Sequence, residues 1–289
     1  MAGPTTKTTL TEMFNAEWIN PVILDAAADF TVSAPYLNWK DLRGLGTVVG
    51  SFPIWVLDAH QDLGETTDIT SEVLETTDTQ ITAVELGLRR DPTYVVLESS
   101  LVGAALFEYI VEDAARVLGI ALEDDIVALF PSFSSSVGTS GSNLTLANMV
   151  EAQATIRIAG RKGQAVFVID DQQALDYQSA QLAATSTTVN SFFRAAGDAT
   201  NEYLGEFMMA PVWQTGLCDA ANTNANKVGA LFIDGSQPKA GALGGVLARD
   251  VQTDIWQDVV ARDYKVVTTA KWGVGIIANT SGCKIVTDL

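Results

Sequence analysis

Histidine occurs once and cysteine twice in the 289 residues, and those scarcities remove much of the usual catalytic vocabulary. Cys218 and Cys283 match no metal-ligand spacing and no disulfide framework, so both read as small buried apolar side chains. The lone His60 sits in a polar stretch with no nucleophile elbow anywhere in the chain to complete a triad, and it reads as a solvated or interface histidine. Basic residues are also scarce, 17 against 35 acidic, and the formal net charge of −18 argues against a groove built to grip nucleic acid phosphates. The N-terminus, MAGPTTKTTLTEMFNAEW, lacks the basic-then-apolar order of a signal peptide. No apolar run reaches the length of a membrane span, so the expectation is a chain made in a cytoplasm with no membrane partner.

Hydrophobic residues make up 47% of the chain, enough for a sizeable core and too many for whole-chain disorder. Residues 1–46 show no sustained period and read as an extended arm with one short helix. TVVGSFPIWV at 47–56 and ITAVELGL at 81–88 carry strand signals of period two. Between them GETTDITSEVLETTDTQIT holds seven threonines and five carboxylates, too β-branched for a flexible linker and too charged for a core strand. No lysine or arginine occurs from Gly44 through Leu88, whereas Asp58, Asp62, Glu65, Asp68, Glu72, Glu75, Asp78 and Glu85 all fall there. The spacing therefore predicts a long acidic hairpin-like projection that something outside its own domain must hold.

Apolar residues at three-and-four spacing predict a long helix over about 101–130, with Leu101, Ala104, Leu118, Ile126 and Leu129 inward and Glu112, Asp113, Arg116 and Glu123 on the other side. Pro131 and PSFSSSVGTSGSN end it and read as a loop. LTLANMVEAQATIRIAG is a second helix capped by Thr145, QAVFVID a buried strand, and DQQALDYQSAQLA a third helix. YLGEFMMAPVW, KVGALFID and TDIWQDVVARDYKVVTTAKWGVGIIA read as later strands, with a glycine-rich turn at 241–245 before the last.

Chemistry is hard to place on this frame. GRKGQ at 160–164 lacks the lysine-serine or lysine-threonine pair of a phosphate loop and reads as a glycine helix stop; GALGGVLA at 241–248 reads as a glycine-rich loop. Glu123, Asp124 and Asp125 are consecutive, so on a helix they diverge instead of converging on one ion. Asp170 and Asp171 follow a strand, where α/β proteins often carry ligands, but QQALDY after them suggests a helix cap.

The order of these parts resembles the major capsid proteins of tailed phages with the Hong Kong 97-like fold. The resemblance rests on the arm before GTVVGSFPIWV, the projecting hairpin (the E-loop, 47–98), the long spine helix, the LTLANMV…ALDYQ unit and the returning strands around DYKVVTTAKWGVGIIANTSG. It implies an α+β fold with an N-terminal arm at 1–46, an E-loop at 47–98, a peripheral domain from 99–143 and 249–289, and an axial α/β domain at 144–248. It implies a non-enzymatic subunit, without cofactor or metal, that forms pentamers and hexamers of an icosahedral shell in the host cytoplasm and ends in the virion. Phe52, Ile54, Trp55, Ile69, Val73 and Leu74 of the E-loop would then touch the neighbouring subunit. Double-stranded DNA would be enclosed without specific binding, and a portal, a decoration protein and, since no fused scaffolding domain precedes the arm, a separate scaffolding protein would be partners. The E-loop has no lysine, so the covalent lysine–asparagine weld of some relatives is unavailable. Encapsulin nanocompartments share the fold and are the alternative reading; an acidic α/β hydrolase or binding protein is a remote third.

Overall fold

A computed structural model describes residues 31–55, 76–93, 105–161, 163–183, 202–218, 226–235 and 241–288. Among these, no helix is long and apolar enough to cross a membrane. The order of elements is β1 (Asn38–Asp41), β2 (Val49–Trp55), β3 (Thr76–Thr82), β4 (Val84–Arg90), α1 (Ala105–Val127), β5 (Ser135–Val137), α2 (Leu146–Ile158), β6 (Ala165–Asp170), α3 (Asp171–Ala183), β7 (Tyr203–Phe207), β8 (Ala210–Thr215), β9 (Asn226–Ile233), β10 (Leu243–Asp258), β11 (Asp263–Ile276) and β12 (Gly282–Asp288).

Six strands pair in the order β5-β12-β9-β6-β8-β7. On β6, Phe167 and Ile169 point to one face and Val166 and Val168 to the other, and all four are fully buried. That is why AVFVI reads as an unbroken apolar run: a strand covered on both sides has no solvent face on which to alternate. Phe167 and Ile169 pack with Met149, Ala152 and Ile156 of α2 and Ala174 and Tyr177 of α3. Val166 and Val168 pack with Ile126, Val127 and Phe130, where α1 ends. The helix thus stops against the sheet it supports, four residues before Pro131, which has no N–H to donate to the Val127 carbonyl.

Short-range signals place α2 and α3. Thr145 Oγ1 accepts from Asn148 N at 3.2 Å, and Gly160, with φ +74°, ends α2 by presenting its N–H to the Arg157 carbonyl at 3.0 Å. Of the two candidate caps for α3 it is Asp170 that acts, accepting from Gln172 N at 2.9 Å. Its carboxylate also faces Lys227 at 3.6 Å, both side chains largely buried. Cys218 and Cys283 are free and buried, and burial pushes both thiols up, Cys283 to about 11.

The second sheet is β1-β10-β11-β4, with α1 laid across it through Ala114, Ala115 and Leu118 against Val251, Ala270 and Trp272. Trp272 Nε1 donates to Asp125 Oδ2 at 3.1 Å. Glu123, expected on the polar side of the helix, is 1% exposed. Its carboxylate accepts from Val32 N at 3.1 Å, Ser33 N at 2.9 Å and Ser33 Oγ at 2.7 Å, pinning the end of the arm to the middle of the protein.

That latch is directly testable. Glu123→Ala leaves three buried donors unpaired and is expected to cost about 3 kcal/mol or more in denaturant unfolding. Glu123→Gln, which retains an acceptor, should cost less. Burial raises the Glu123 pKa, outweighing the hydrogen bonds from Ser33 and Val32 that lower it. A raised folded pKa favours the protonated folded state, so this contribution is present below the unfolded glutamate pKa of about 4.3 and is lost as pH rises through the folded value. Melting curves should therefore show the stability gap between wild type and E123Q shrinking, or reversing, with rising pH.

Several sequence expectations are corrected. YLGEFMMAPVW is not one strand but the hairpin β7–β8, turned at Met208 and Met209, whose φ values of 48° and 69° are those a two-residue type I′ turn requires. GALGGVLA is not a loop: from Leu243 onward it is the start of β10, paired with β1 on one side and β11 on the other. Ser135–Val137, read as part of a loop, pairs in parallel with β12, a strand the sequence reading passed over. Both β5 and β12 belong to the six-stranded sheet.

Candidate assembly interface

The projection expected from the threonine-rich stretch begins as a two-stranded sheet. β2 and β3 pair antiparallel over seven positions, from Val49 opposite Thr82 to Trp55 opposite Thr76. Among the described residues no third strand joins either edge. An isolated two-stranded ribbon is marginal in water and presents unpaired backbone groups on either side. Pro53 removes one of those donors, and Asp78 stands exposed opposite it.

The root of the ribbon is fastened to its own body. Phe52 is 3% exposed and packs with Leu42, Ile81, Ala83 and Val246. Lys40 crosses above it, its ammonium 4.6 Å from the ring centroid and also donating to the Ser51 carbonyl. Ala83 N donates to Val48 O at 2.8 Å, closing the root where the two strands enter the body. On the outer face Ser51 Oγ donates to Asp78 Oδ1.

Glycines set how closely the ribbon crosses β10 and β11. A Cβ on Gly273 would lie 2.3 Å from the Thr82 carbonyl oxygen, and one on Gly50 would lie 2.2 Å from Val246 Cγ1. Gly244 and Gly275 leave room for Ile277 and Ile81, where added Cβ atoms would approach to 2.5 Å and 3.0 Å. These positions carry the hairpin's placement, and the sequence reading missed them. Their signal was available in WGVGI and GALGG, glycines inside strand-like runs, which mark a close approach of other chain.

The expected contact residues are divided by this geometry. Phe52 belongs to the protein's own core. Ile54 is half-buried farther out, and the Trp55 backbone pairs with Thr76 at the outermost described position. Ile69, Val73 and Leu74 lie outside the described residues, as do His60, Leu101 and Ala104. Residues 31–46 are the described part of the arm, fixed by Glu123 and by β1 beside β10.

Two further projections expose apolar side chains. The far end of β10–β11 turns at 259–262, where Val259 is 74% and Val260 95% exposed. Asp258 Oδ1 accepts from Val260 N and Ala261 N, both at 3.0 Å, and its carboxylate pairs with Lys265. The Lys265 ammonium, followed by these N–H groups, holds the Asp258 carboxyl down at about 2. The β7–β8 turn carries Met209, 87% exposed, and Ile158 at the end of α2 is 86% exposed. Among the described residues no three metal-ligating side chains cluster, and Asp170 is committed to its cap and to Lys227.

No family model matches the chain, and no curated protein matches it. Solved structures do. A protein of Mycobacterium phage Che8 aligns with 88% of this chain and 90% of its own length, at TM-score 0.66 and 14% identity. The acid-stable capsid of Helicobacter pylori bacteriophage KHP30 aligns over 90% of each chain at TM-score 0.63 and 12% identity. A virus-like particle from Pyrococcus furiosus covers 94% of this chain and 99% of its own at TM-score 0.61 and 11% identity. The fold is thus the Hong Kong 97-like α+β fold.

Proposed function

We propose that this chain is the major capsid protein of a tailed bacteriophage, a non-enzymatic subunit that closes into an icosahedral head around double-stranded DNA. The observation that carries the reading is the ribbon β2–β3, rooted in its own subunit through Phe52 and joined by no third strand among the described residues, on a fold found at nearly full length in phage capsids. An open two-stranded ribbon is completed by another chain, and a closed symmetric shell supplies such a neighbour to every copy. Threonine tolerates water until docking, and the clustered carboxylates oppose premature pairing between free subunits.

On this reading the arm, E-loop, peripheral and axial regions are functional parts, with β5 and β12 counted in the axial sheet. Ile54, Trp55, Ile69, Val73 and Leu74 remain proposed contacts with the neighbour. Portal, scaffolding and decoration proteins are proposed partners, the virion the final location, and the host cytoplasm the place of assembly. With a net charge of −18 per copy, the wall would confine DNA without binding its sequence. The Pyrococcus furiosus particle favours a second reading, a nanocompartment shell, because it matches almost its whole length to this chain. Contents decide between them: purified particles from the native source should contain double-stranded DNA in the first case and a protein cargo in the second.

The shell should be held without covalent bonds between subunits. No lysine lies in the hairpin sequence and both cysteines are buried and free. Denaturing electrophoresis of mature particles without reductant should give one band near 30.7 kDa. A ladder of multiples would refute this.

A further inference from the structure

A cleft of about 500 Å³ opens between the C-terminal end of α2 and the β7–β8 turn. Its apolar floor is Ile156, Leu231 and Ile233; Arg157, Arg161 and Glu206 stand around it, and Met208 and Met209 form its lip. None of this is used by the hairpin root or the arm. Gln153 lies in its wall, only 6% exposed. Its amide nitrogen donates to the Phe207 carbonyl at 3.3 Å, but its Oε1 has no donor. That oxygen is closed off from solvent, so Gln153 braces the β7–β8 turn from behind the cleft and is not a contact for a ligand.

The charges narrow the ligand. Arg157 has no ion-pair partner among the described residues, and Arg161 is held by Thr280 Oγ1 at 3.0 and 3.2 Å, which fixes its guanidinium without neutralising it. Set against the single carboxylate of Glu206, they make a locally positive spot on a subunit of net charge −18. Methionine at the lip is apolar and adaptable, suited to an irregular side chain. A cleft of this volume accommodates a few side chains.

We propose that this cleft receives an acidic segment of a second copy of the chain: an apolar side chain on Ile156, Leu231 and Ile233, and a carboxylate beside Arg157 and Arg161. The occupant is a second copy because the surface of each copy is rich in carboxylates and poor in bases, so in a shell of identical subunits the cleft meets its complementary charge on its neighbours. The inference rests on the shell reading above.

The test places p-benzoylphenylalanine at Met209, the exposed lip residue, and irradiates assembled particles of the purified protein. The expected product is a covalent dimer whose cross-linked peptide carries an aspartate or glutamate next to an apolar residue. Arg157→Glu with Arg161→Glu should lower the dimer yield at least about tenfold, the factor equivalent to 1.4 kcal/mol. Arg157→Lys with Arg161→Lys should retain most of it, and unchanged melting temperatures confirm that the variants fold. Intact particles that stay monomeric on irradiation, or that cross-link equally well after charge reversal, overturn the cleft assignment and leave the shell reading standing. A product containing any other polypeptide also overturns it. Failure of the wild-type protein to form particles would overturn both.

Discussion

Gly273→Val is expected to abolish particle assembly while leaving the six-stranded sheet folded. A Cβ at Gly273 meets the Thr82 carbonyl oxygen at 2.3 Å, the Thr82 carbonyl carbon at 2.9 Å and the Ala83 Cα at 3.1 Å. All three are backbone atoms, so no rotamer change relieves the overlap, and the root of the hairpin must move or β11 must bend away. Overpacking of this kind costs about 1–3 kcal/mol within one subunit. The displaced ribbon would then reach its neighbour off register at every copy, and each 1.4 kcal/mol lost at a contact weakens it about tenfold. Gly87→Ala is the control, because its added Cβ meets Thr269 Cγ2 at 3.5 Å and the Thr268 carbonyl oxygen at 3.9 Å, both ordinary contacts. Size-exclusion chromatography with circular dichroism reads both outcomes; particles at wild-type yield from G273V would show that the crossing does not set the hairpin's placement.

Excising the hairpin should have a still larger effect on assembly with less effect on folding. Val48 and Ala83 already lie together, joined by the 2.8 Å bond from Ala83 N to Val48 O, so residues 49–82 can be replaced by a two-glycine link without moving the body. The deletion removes Phe52 and Ile81 from a small cluster and leaves Leu42 and Val246 more exposed. Losing a buried Phe costs about 3–5 kcal/mol, yet the two larger clusters around β6 are untouched. The expected product is a folded monomer at all accessible concentrations, measured by analytical ultracentrifugation. Assembly of the deleted chain into closed shells would place the essential contacts elsewhere.

The sequence made some elements readable because their cause is local. Thr145, Gly160 and the period of α2, the run AVFVI of β6 and the cap at Asp170 each act within a few residues of where they stand. The rest depended on what passes nearby in space. Glycines at 244 and 245 look like loop formers until Ile277 and Trp39 are seen pressed against them. Glu123 looks like a surface residue until the arm brings Val32 and Ser33 to it. Met208 and Met209 occupy turn positions that favour asparagine and glycine, so nothing in their chemistry marks the turn. Phe52 shows the same limit at the candidate interface: period two separates the faces of β2, but which face meets its own subunit is decided by Lys40, Leu42 and Val246.

Cryo-electron microscopy of the purified full-length protein at high concentration bears most directly on the claim that this chain builds a shell. The account predicts closed particles of uniform size made of pentamers and hexamers, with β2–β3 of each subunit lying on its neighbour. A monodisperse 30.7 kDa monomer, its hairpin packed along its whole length on its own body, would contradict it.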